Sequence, residues 1–484
     1  MRSEKRVDVA ILGSGTAGLS AYRAAKSQGK NVVMIESGHY GTTCARVGCM
    51  PSKLLIAAAE RAHQVETSEK FGINYQGSHS VDSEQVMNHL KSERNRFVGF
   101  VVDSVNQIPD KDRILGHAKF LNDHTVEVDD HTTVMANSIV IATGSRPTYP
   151  QDWNKLGSRL IVNDDVFEWD RLPKSVAVFG PGVIGLELAQ ALHRLGVEVR
   201  VFGRGGGIGP LSDPKIITYA NETFSNEYYL DTNADVTSIE LSKNGQQVEI
   251  SYRNKNGEAE TLECDYLLAA TGRRPNVDTL NIESTSIVLD ERGVPVADTK
   301  TMQTSVPHIF IAGDASNQIP LLHEAADQGA IAGENAGSFP EVKPGLRRSP
   351  IGVVFCDPQI ATIGQSYKAL CESKCNEFAI GEVSFEGQGR SRVMQVNQGL
   401  MRVYGDYHTQ QLLGAEIFGP RAEHLAHLLA WAHQNKMTIS EMLDMPFYHP
   451  VIEEGVRTAL RNLNDALKAP RNTQQDCMNC APGC

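Results

Sequence analysis

A short apolar run, a glycine-rich turn, a helix-forming stretch and a second apolar run ending on an acid open this chain. Residues 7–12 read VDVAIL, and Gly13, Gly15 and Gly18 punctuate the turn GSGTAG that follows. LSAYRAAKSQG then has helix-forming composition, and the run at 31–35 ends on Glu36. Glycines at this spacing let the backbone approach a pyrophosphate at a helix N-terminus, where first-turn N–H groups lack partners. An acid closing the second strand accepts hydrogen bonds from a ribose. The order recurs further on: a strand at 176–179, Gly180, Gly182 and Gly185 in GPGVIG, the helix LELAQALHRLG, and a strand at 197–202. Two βαβ units fix an α/β architecture with parallel sheets and call for two nucleotide cofactors.

Between the two units lies GTTCARVGCMPSKLL, residues 41–55. Four residues separate Cys44 and Cys49, and Gly48 offers the backbone freedom of a tight turn between them. Pro51 suits the first turn of a helix that SKLLIAAAERA continues. Cys49 then falls at a helix N-terminus, where the dipole favours a thiolate, with Lys53 one turn later on the same face. A thiol pair able to close a disulfide beside a cation is redox chemistry. The alternatives are two unrelated buried cysteines or half of a zinc site; no second pair at zinc spacing follows soon, and no metal site is expected.

Bulk properties exclude several classes. The net charge of −12 argues against general affinity for nucleic acid or anionic membrane. No run of 18 apolar residues exists for a transmembrane helix, and MRSEKRVDVAILG holds no signal-peptide core. Nine cysteines thinly spread over 484 residues suit a reducing, cytoplasmic setting. An amphipathic helix is expected over 81–102, and hairpins over 232–263, where polar and apolar residues alternate in short runs.

The turns ATGSRP, with Thr143 and Gly144, and ATGRRPN, with Gly272, each follow an apolar strand. The stretch HIFIAGDA places Asp314 at a strand's C-terminal end, fit for hydroxyl recognition or for capping the helix expected at 321–336. From about residue 348 the strands IGVVF, QIATIG, LMRVYG and LLGAEIFG precede helices, a separate α+β domain. Near the end, YHPVIEEGVRTAL sets His449 before Pro450, a placement that favours extended backbone, and five residues before Glu454. A histidine oriented by a carboxylate is a general base; the same pair also serves structure alone.

In order, GSGTAG, CARVGCMPSK, ATGSRP, GPGVIG, ATGRRPN, AGDA and HPVIEE resemble the flavoprotein disulfide reductases, also called pyridine nucleotide-disulfide oxidoreductases, over about residues 5–465. PSK after the second cysteine looks most like dihydrolipoamide dehydrogenase. The resemblance implies two Rossmann-like domains, for FAD and NAD(P), and a C-terminal α+β dimerisation domain. It divides the chain as 1–150 for FAD, 151–275 for NAD(P), 276–346 completing the FAD site, 347–468 for the interface and 469–484 as a cysteine-containing tail. FAD is implied at Gly13, Gly15, Gly18, Glu36 and Asp314, with Thr43, Thr143 and Gly144 beside it. NAD(P) is implied at Gly180, Gly182, Gly185, Arg204 and Gly272. Cys49 is the implied flavin-contacting thiol and Cys44 the one that meets substrate. Lys53 is implied to lie near the flavin and pair with Glu187. His449, held by Glu454, is implied to act as acid–base in the partner subunit's site of a homodimer.

Two departures stand out. Members that use NAD usually carry an acid closing the second strand of the second unit, whereas this chain reads Phe202-Gly203-Arg204. Arg204 or Arg200 is then placed to meet a 2′-phosphate, unless Arg204 points to solvent. The tail DCMNCAPGC also carries Cys477, Cys480 and Cys484 beyond the usual end. The expected function is dihydrolipoyl dehydrogenase, with the lipoyl carrier domain of a 2-oxoacid dehydrogenase complex as partner. The alternative is an NADPH-dependent disulfide or mercuric-type reductase using the tail. A scaffold role is disfavoured by the two cysteines and the His–Glu pair.

Overall fold

The computed structural model describes residues 3–74, 80–373 and 377–469. The tail cysteines Cys477, Cys480 and Cys484 lie outside the described residues. The chain gathers into two compact units, each interrupted in sequence. The first holds Met1–Leu54, Asn88–Thr148 and Gly272–Arg347; the second holds Leu55–Met87, Tyr149–Thr271 and Arg348–Cys484.

The first unit is built on a seven-stranded sheet. Arg113–Leu115, Val32–Glu36, Ser3–Leu12 and Thr132–Ile141 run parallel in that order. Val9 to Leu12 and Val32 to Ile35 are buried on both faces, as a sheet covered on each side requires. Thr132–Ile141 pairs along its length with Ser3–Leu12, while its other edge is shared. The first half of that edge pairs antiparallel with Thr125–Val128, and the second half pairs parallel with Ile309–Ile311.

On one face, helix Thr16–Ser27 packs against helix Leu322–Ser338 through small residues. A Cβ on Gly329 would lie 2.2 Å from Ala17 O, and one on Gly333 2.3 Å from Ala21 O. Without those two glycines the helices cannot approach this closely, and the glycine turn at the start of Thr16–Ser27 would shift with them.

The second unit contains a parallel sheet ordered Tyr229–Asp231, Glu198–Phe202, Ser175–Phe179, Tyr266–Ala269 and Leu160–Ile161. The hairpins expected over 232–263 form a three-stranded antiparallel sheet, Asp235–Leu241, Val248–Arg253 and Ala259–Cys264. After residue 350 comes a five-stranded antiparallel sheet ordered Ile351–Val354, Gln359–Gly364, Leu412–Gly419, Leu400–Asp406 and Phe378–Ser384. Helix Glu454–Lys468 covers it with Val456, Ala459, Leu460, Leu463 and Leu467, one stripe at helical spacing. Burying leucines such as Leu460 and Leu463 stabilises the domain by about 1.5–3 kcal/mol each.

The architecture is therefore α/β with a C-terminal α+β domain, as the sequence suggested. The helix expected over 81–102 runs Ser83–Asn106. Among the described residues no helix is long and apolar enough to cross a membrane.

Candidate functional site

The glycines of the first βαβ unit have distinct reasons to be glycine. Gly13 has φ +111°, and a Cβ there would lie 2.3 Å from Ala142 O. Gly18 lies so close to the turn that a Cβ would meet Gly13 O at 2.0 Å, which seats the helix on the sheet. Gly15, by contrast, would have nothing within 4 Å of a Cβ. It caps helix Thr16–Ser27 without any side-chain hydrogen bond, so the first-turn N–H groups remain available to a phosphate.

These residues open onto a cavity of about 1140 Å³ lined by Gly13, Gly15, Glu36, Thr43, Thr143 and Gly144 among others. Glu36 accepts from Ser14 N–H at 2.8 Å, from Ser14 Oγ at 2.6 Å and from Gly38 N–H at 2.9 Å. Its carboxylate is thus fixed at the end of the strand Val32–Glu36. Thr143 Oγ1 is buried without a hydrogen-bond partner, an orphan that a ligand in the cavity would satisfy. Asp314 does not cap the following helix; Leu322–Ser338 starts at Leu321 with no side-chain cap. Asp314 instead sits in the turn Gly313–Ser316 and accepts from Ser145 Oγ at 2.7 Å, with Arg273 Nε donating to the same serine oxygen at 2.9 Å. A dinucleotide with hydroxyls along its length fits this donor and acceptor set.

Cys49 is the first residue of helix Cys49–Glu66, and Cys44 lies in the short helix Thr43–Val47 before it. Gly48 makes the turn between the two helices, with φ −126° and ψ −116°. The glycine is needed for proximity: a Cβ would meet Thr43 O at 3.0 Å and Cys44 Cα at 3.2 Å. That close approach brings the two sulfurs into hydrogen-bond contact. The Cys44 thiol is pushed far above its ordinary value, first by its hydrogen bond to the Cys49 sulfur and then by burial, while the Lys53 charge pulls weakly the other way. Cys44 therefore keeps its proton, and Cys49 is the exposed member of the pair. Lys53 Nζ lies 3.4 Å from Ser52 Oγ.

The second βαβ unit repeats the first closely. Gly180 has φ +108° with a prospective Cβ 2.4 Å from Ala270 O, Gly185 would meet Gly180 O at 1.9 Å, and Gly182 again faces open space. Helix Val183–Arg194 has no side-chain cap at Gly182. Gly203 is closed to any side chain: its Cβ would lie 2.8 Å from both Pro181 Cγ and Thr232 Cα. Arg200 stacks over Tyr229 and donates to Tyr252 and Glu260, which leaves Arg204 as the exposed cation after this strand. Gly272, with φ +128°, belongs to the first unit, where its carbonyl accepts from Thr148 N–H at 3.0 Å.

Glu187 is buried on helix Val183–Arg194, and its Oε1 accepts from Phe355 N–H at 2.9 Å. Lys53 falls in the first unit and Glu187 in the second, so their pairing stands as an implication of sequence resemblance.

His449 Nδ1 lies 3.0 and 3.1 Å from the two oxygens of Glu454, the first residue of helix Glu454–Lys468. The His449–Pro450 peptide is cis. Glu454 also accepts from Val451 N–H at 3.2 Å. The histidine hydrogen bond, then that backbone donor, hold its carboxyl below the ordinary carboxylate value. With Nδ1 engaged and the side chain 80% exposed, Nε2 is presented outward.

Residues 7–329 match the family described as pyridine nucleotide-disulphide oxidoreductase, and residues 351–460 match its dimerisation domain. The chain belongs to the pyridine nucleotide-disulfide oxidoreductases. Dihydrolipoyl dehydrogenase of Chlamydia pneumoniae is 30% identical over 454 residues, 92% of this chain and 95% of that protein. Mercuric reductase of Staphylococcus aureus is also 30% identical, over 457 residues, 93% of this chain and 81% of that protein. The HOCl-induced flavoprotein disulfide reductase RclA from Escherichia coli shares the fold, with a TM-score of 0.78 at 23% identity over 96% of this chain and 100% of that one.

As a family member the chain is a flavoprotein disulfide oxidoreductase that works with FAD and NAD(P), and its dimerisation domain supports a homodimer. The cavity at Gly13, Glu36 and Thr143 fits the family's FAD, and the open turn at Gly182 fits its nicotinamide nucleotide. Sequence reasoning missed Ser14 and Ser145, which hold Glu36 and Asp314. Each is a serine beside a glycine turn, with nothing in its own neighbourhood to announce the distant carboxylate.

Proposed function

We propose that the chain is a dihydrolipoyl dehydrogenase, oxidising a carrier-bound dihydrolipoyl dithiol with a nicotinamide nucleotide as final acceptor. The observation that carries this reading is the exposed His449 ring, oriented through Nδ1 by Glu454. A dithiol substrate is mostly protonated at neutral pH and needs a base before it can attack a disulfide; a metal-ion substrate needs none.

In the oxidised enzyme, Nε2 of His449 of the partner subunit takes the proton of one substrate thiol. The resulting thiolate attacks Cys44 Sγ and breaks the Cys44–Cys49 bond, so that Cys49 leaves as a thiolate. The second substrate thiol, once deprotonated, displaces Cys44 and closes the substrate disulfide. Two electrons thereby pass to the cysteine pair; the displaced Cys44 takes one proton back from the base, and the other leaves through the base. FAD, when bound, carries the electron pair on to the nicotinamide. Lys53 places a positive charge near the reduced cysteines, and Glu187, fixed by Phe355 N–H, is its partner by resemblance. The lipoyl carrier domain is the partner protein of this reading.

A second reading, an NADPH-dependent reductase of disulfides or metal ions, is favoured by Gly203. The close contacts with Pro181 and Thr232 leave no room for an acid that would repel a 2′-phosphate, and Arg204 follows at once. NADH and NADPH, each tested against lipoamide, glutathione disulfide and Hg2+, separate the two. Turnover confined to lipoamide supports the first reading. Turnover confined to glutathione disulfide or Hg2+ overturns it.

A further inference from the structure

The segment that follows Gly203 is tied at both ends, and its second tie belongs to the interface sheet. Near the strand end, Gly206 N–H donates to Thr232 O at 2.9 Å and Gly205 N–H to Asn233 Oδ1 at 3.1 Å. Gly209 N–H then donates at 2.7 Å to the carbonyl of Pro181, inside the glycine turn of the second βαβ unit. Cβ atoms at Gly205, Gly206 and Gly207 would meet nothing within 4 Å, so side-chain packing does not hold this stretch.

At the far end stands Glu416, on strand Leu412–Gly419 of the interface sheet and fully buried. Its carboxylate accepts from Ser212 N–H at 2.8 Å, Asp213 N–H at 2.9 Å, Tyr367 N–H at 2.9 Å and the Ser212 hydroxyl. Asp213, also fully buried, accepts from Lys215 N–H at 3.0 Å, Arg402 at 2.6 Å and the Tyr404 hydroxyl at 3.2 Å. Arg402 and Tyr404 lie on strand Leu400–Asp406 of the same sheet.

A buried carboxylate with every acceptor position used tolerates no rearrangement, because each donor left behind would be buried and unpaired. The interface sheet thus fixes residues 212–213, and three residues earlier Gly209 holds the turn meant for a pyrophosphate. We propose that Glu416 is a positioning residue for the nicotinamide nucleotide, through which the interface sheet keeps the 203–213 segment and the Gly180–Gly185 turn in binding geometry. This rests on the reading of that turn as the nucleotide site.

Glu416→Gln keeps shape and volume but sets an amide N–H2 against N–H donors. It is expected to raise KM for both NADH and NADPH about tenfold, or 1.4 kcal/mol, while KM for the disulfide substrate and FAD content hold. Trypsin, which cleaves after the exposed Arg204, should cut the variant faster than the unaltered enzyme, and saturating NADP+ should slow the cut in both. Ser212→Ala, which removes one donor and leaves the carboxylate in place, should move both readouts the same way by less, and serves if Glu416→Gln does not fold. Glu441→Gln, a helix cap in the same domain, should move neither.

Unchanged nucleotide KM and unchanged cleavage in the Glu416 and Ser212 variants overturn the proposal. So does a proportional loss of FAD and rise in disulfide KM, which would mark general loosening. If nucleotide fails to slow cleavage or to saturate the unaltered enzyme, the reading of the turn itself falls, and the proposal with it.

Discussion

Gly185→Ala tests the second nucleotide site with a single methyl group. The added carbon would stand 1.9 Å from Gly180 O, where ordinary contact begins near 3.4 Å. The helix Val183–Arg194 must therefore move off the turn by roughly 1.5 Å, the difference of those two distances. Overpacking of this kind costs about 1–3 kcal/mol of stability. The larger effect falls on binding, because the displaced first turn no longer aims its N–H groups at the pyrophosphate. A displacement of about 1 Å in a positioning element costs on the order of 10²-fold.

The expected outcome is a protein that keeps FAD, judged by its absorbance ratio, and melts at a lower temperature. Its nicotinamide nucleotide affinity, read by anaerobic titration, should fall about 10²-fold. The twin substitution Gly18→Ala, with its methyl 2.0 Å from Gly13 O, should instead yield protein depleted of FAD. A Gly185→Ala enzyme whose nucleotide affinity stays within about threefold of the unaltered one, under 1 kcal/mol, would refute the reasoning.

Alkylation of the reduced, FAD-depleted protein by iodoacetamide at neutral pH should label exposed Cys49 at least about tenfold faster than Cys44. The Cys44 rate should climb as pH rises, since its raised pKa keeps it a thiol; equal labelling by peptide mass spectrometry would contradict the assignment. His449→Gln should lower dihydrolipoamide oxidation by about 10²–10⁴-fold and leave flavin reduction by nicotinamide intact, and equal losses in both half-reactions would assign the residue to structure. The depressed Glu454 carboxyl means that its pairing with His449 is present at neutral pH and is lost only as pH falls through that lowered value. Truncation after Lys468, the last residue of helix Glu454–Lys468, should leave lipoamide turnover unchanged, and an accompanying loss of Hg2+ reduction would move the assignment to the second reading.

Both βαβ units were legible because a strand, three glycines and a helix are local signals; steric contacts at Gly13, Gly18, Gly180 and Gly185 account for two glycines in each unit, and Gly15 and Gly182 face open space. The cysteine helix was legible for the same reason. Gly48 was legible as the turn between the cysteines, whereas the crowding by Thr43 and Cys44 that also requires a glycine was not, because sequence reports what glycine permits and not what crowds it. The alternative role for Asp314 as a helix cap arose because the partner that decides it, Ser145, is 169 residues away. Glu416 was invisible for the same cause: its donors at 212, 213 and 367 converge only through the sheet. Each of the two compact units draws on three stretches of chain.

The shared edge of strand Thr132–Ile141 has a consequence for synthesis. Its second half waits for Ile309–Ile311, and the register Ile139 with Ile309 sets the gap at 170 residues. At about 5–20 residues per second a ribosome needs roughly 10–35 s to supply them. All five strands of the nucleotide sheet, from Leu160 to Ala269, emerge within that interval and can close first. Meanwhile the first unit stands with an apolar strand edge open, the kind of edge that recruits foreign strands. Asp314 emerges just behind the missing strand, so FAD can be grasped only when that edge is sealed. The time this edge stays open during translation should therefore govern how much of this chain aggregates, more than cofactor supply or the stability of the finished protein does.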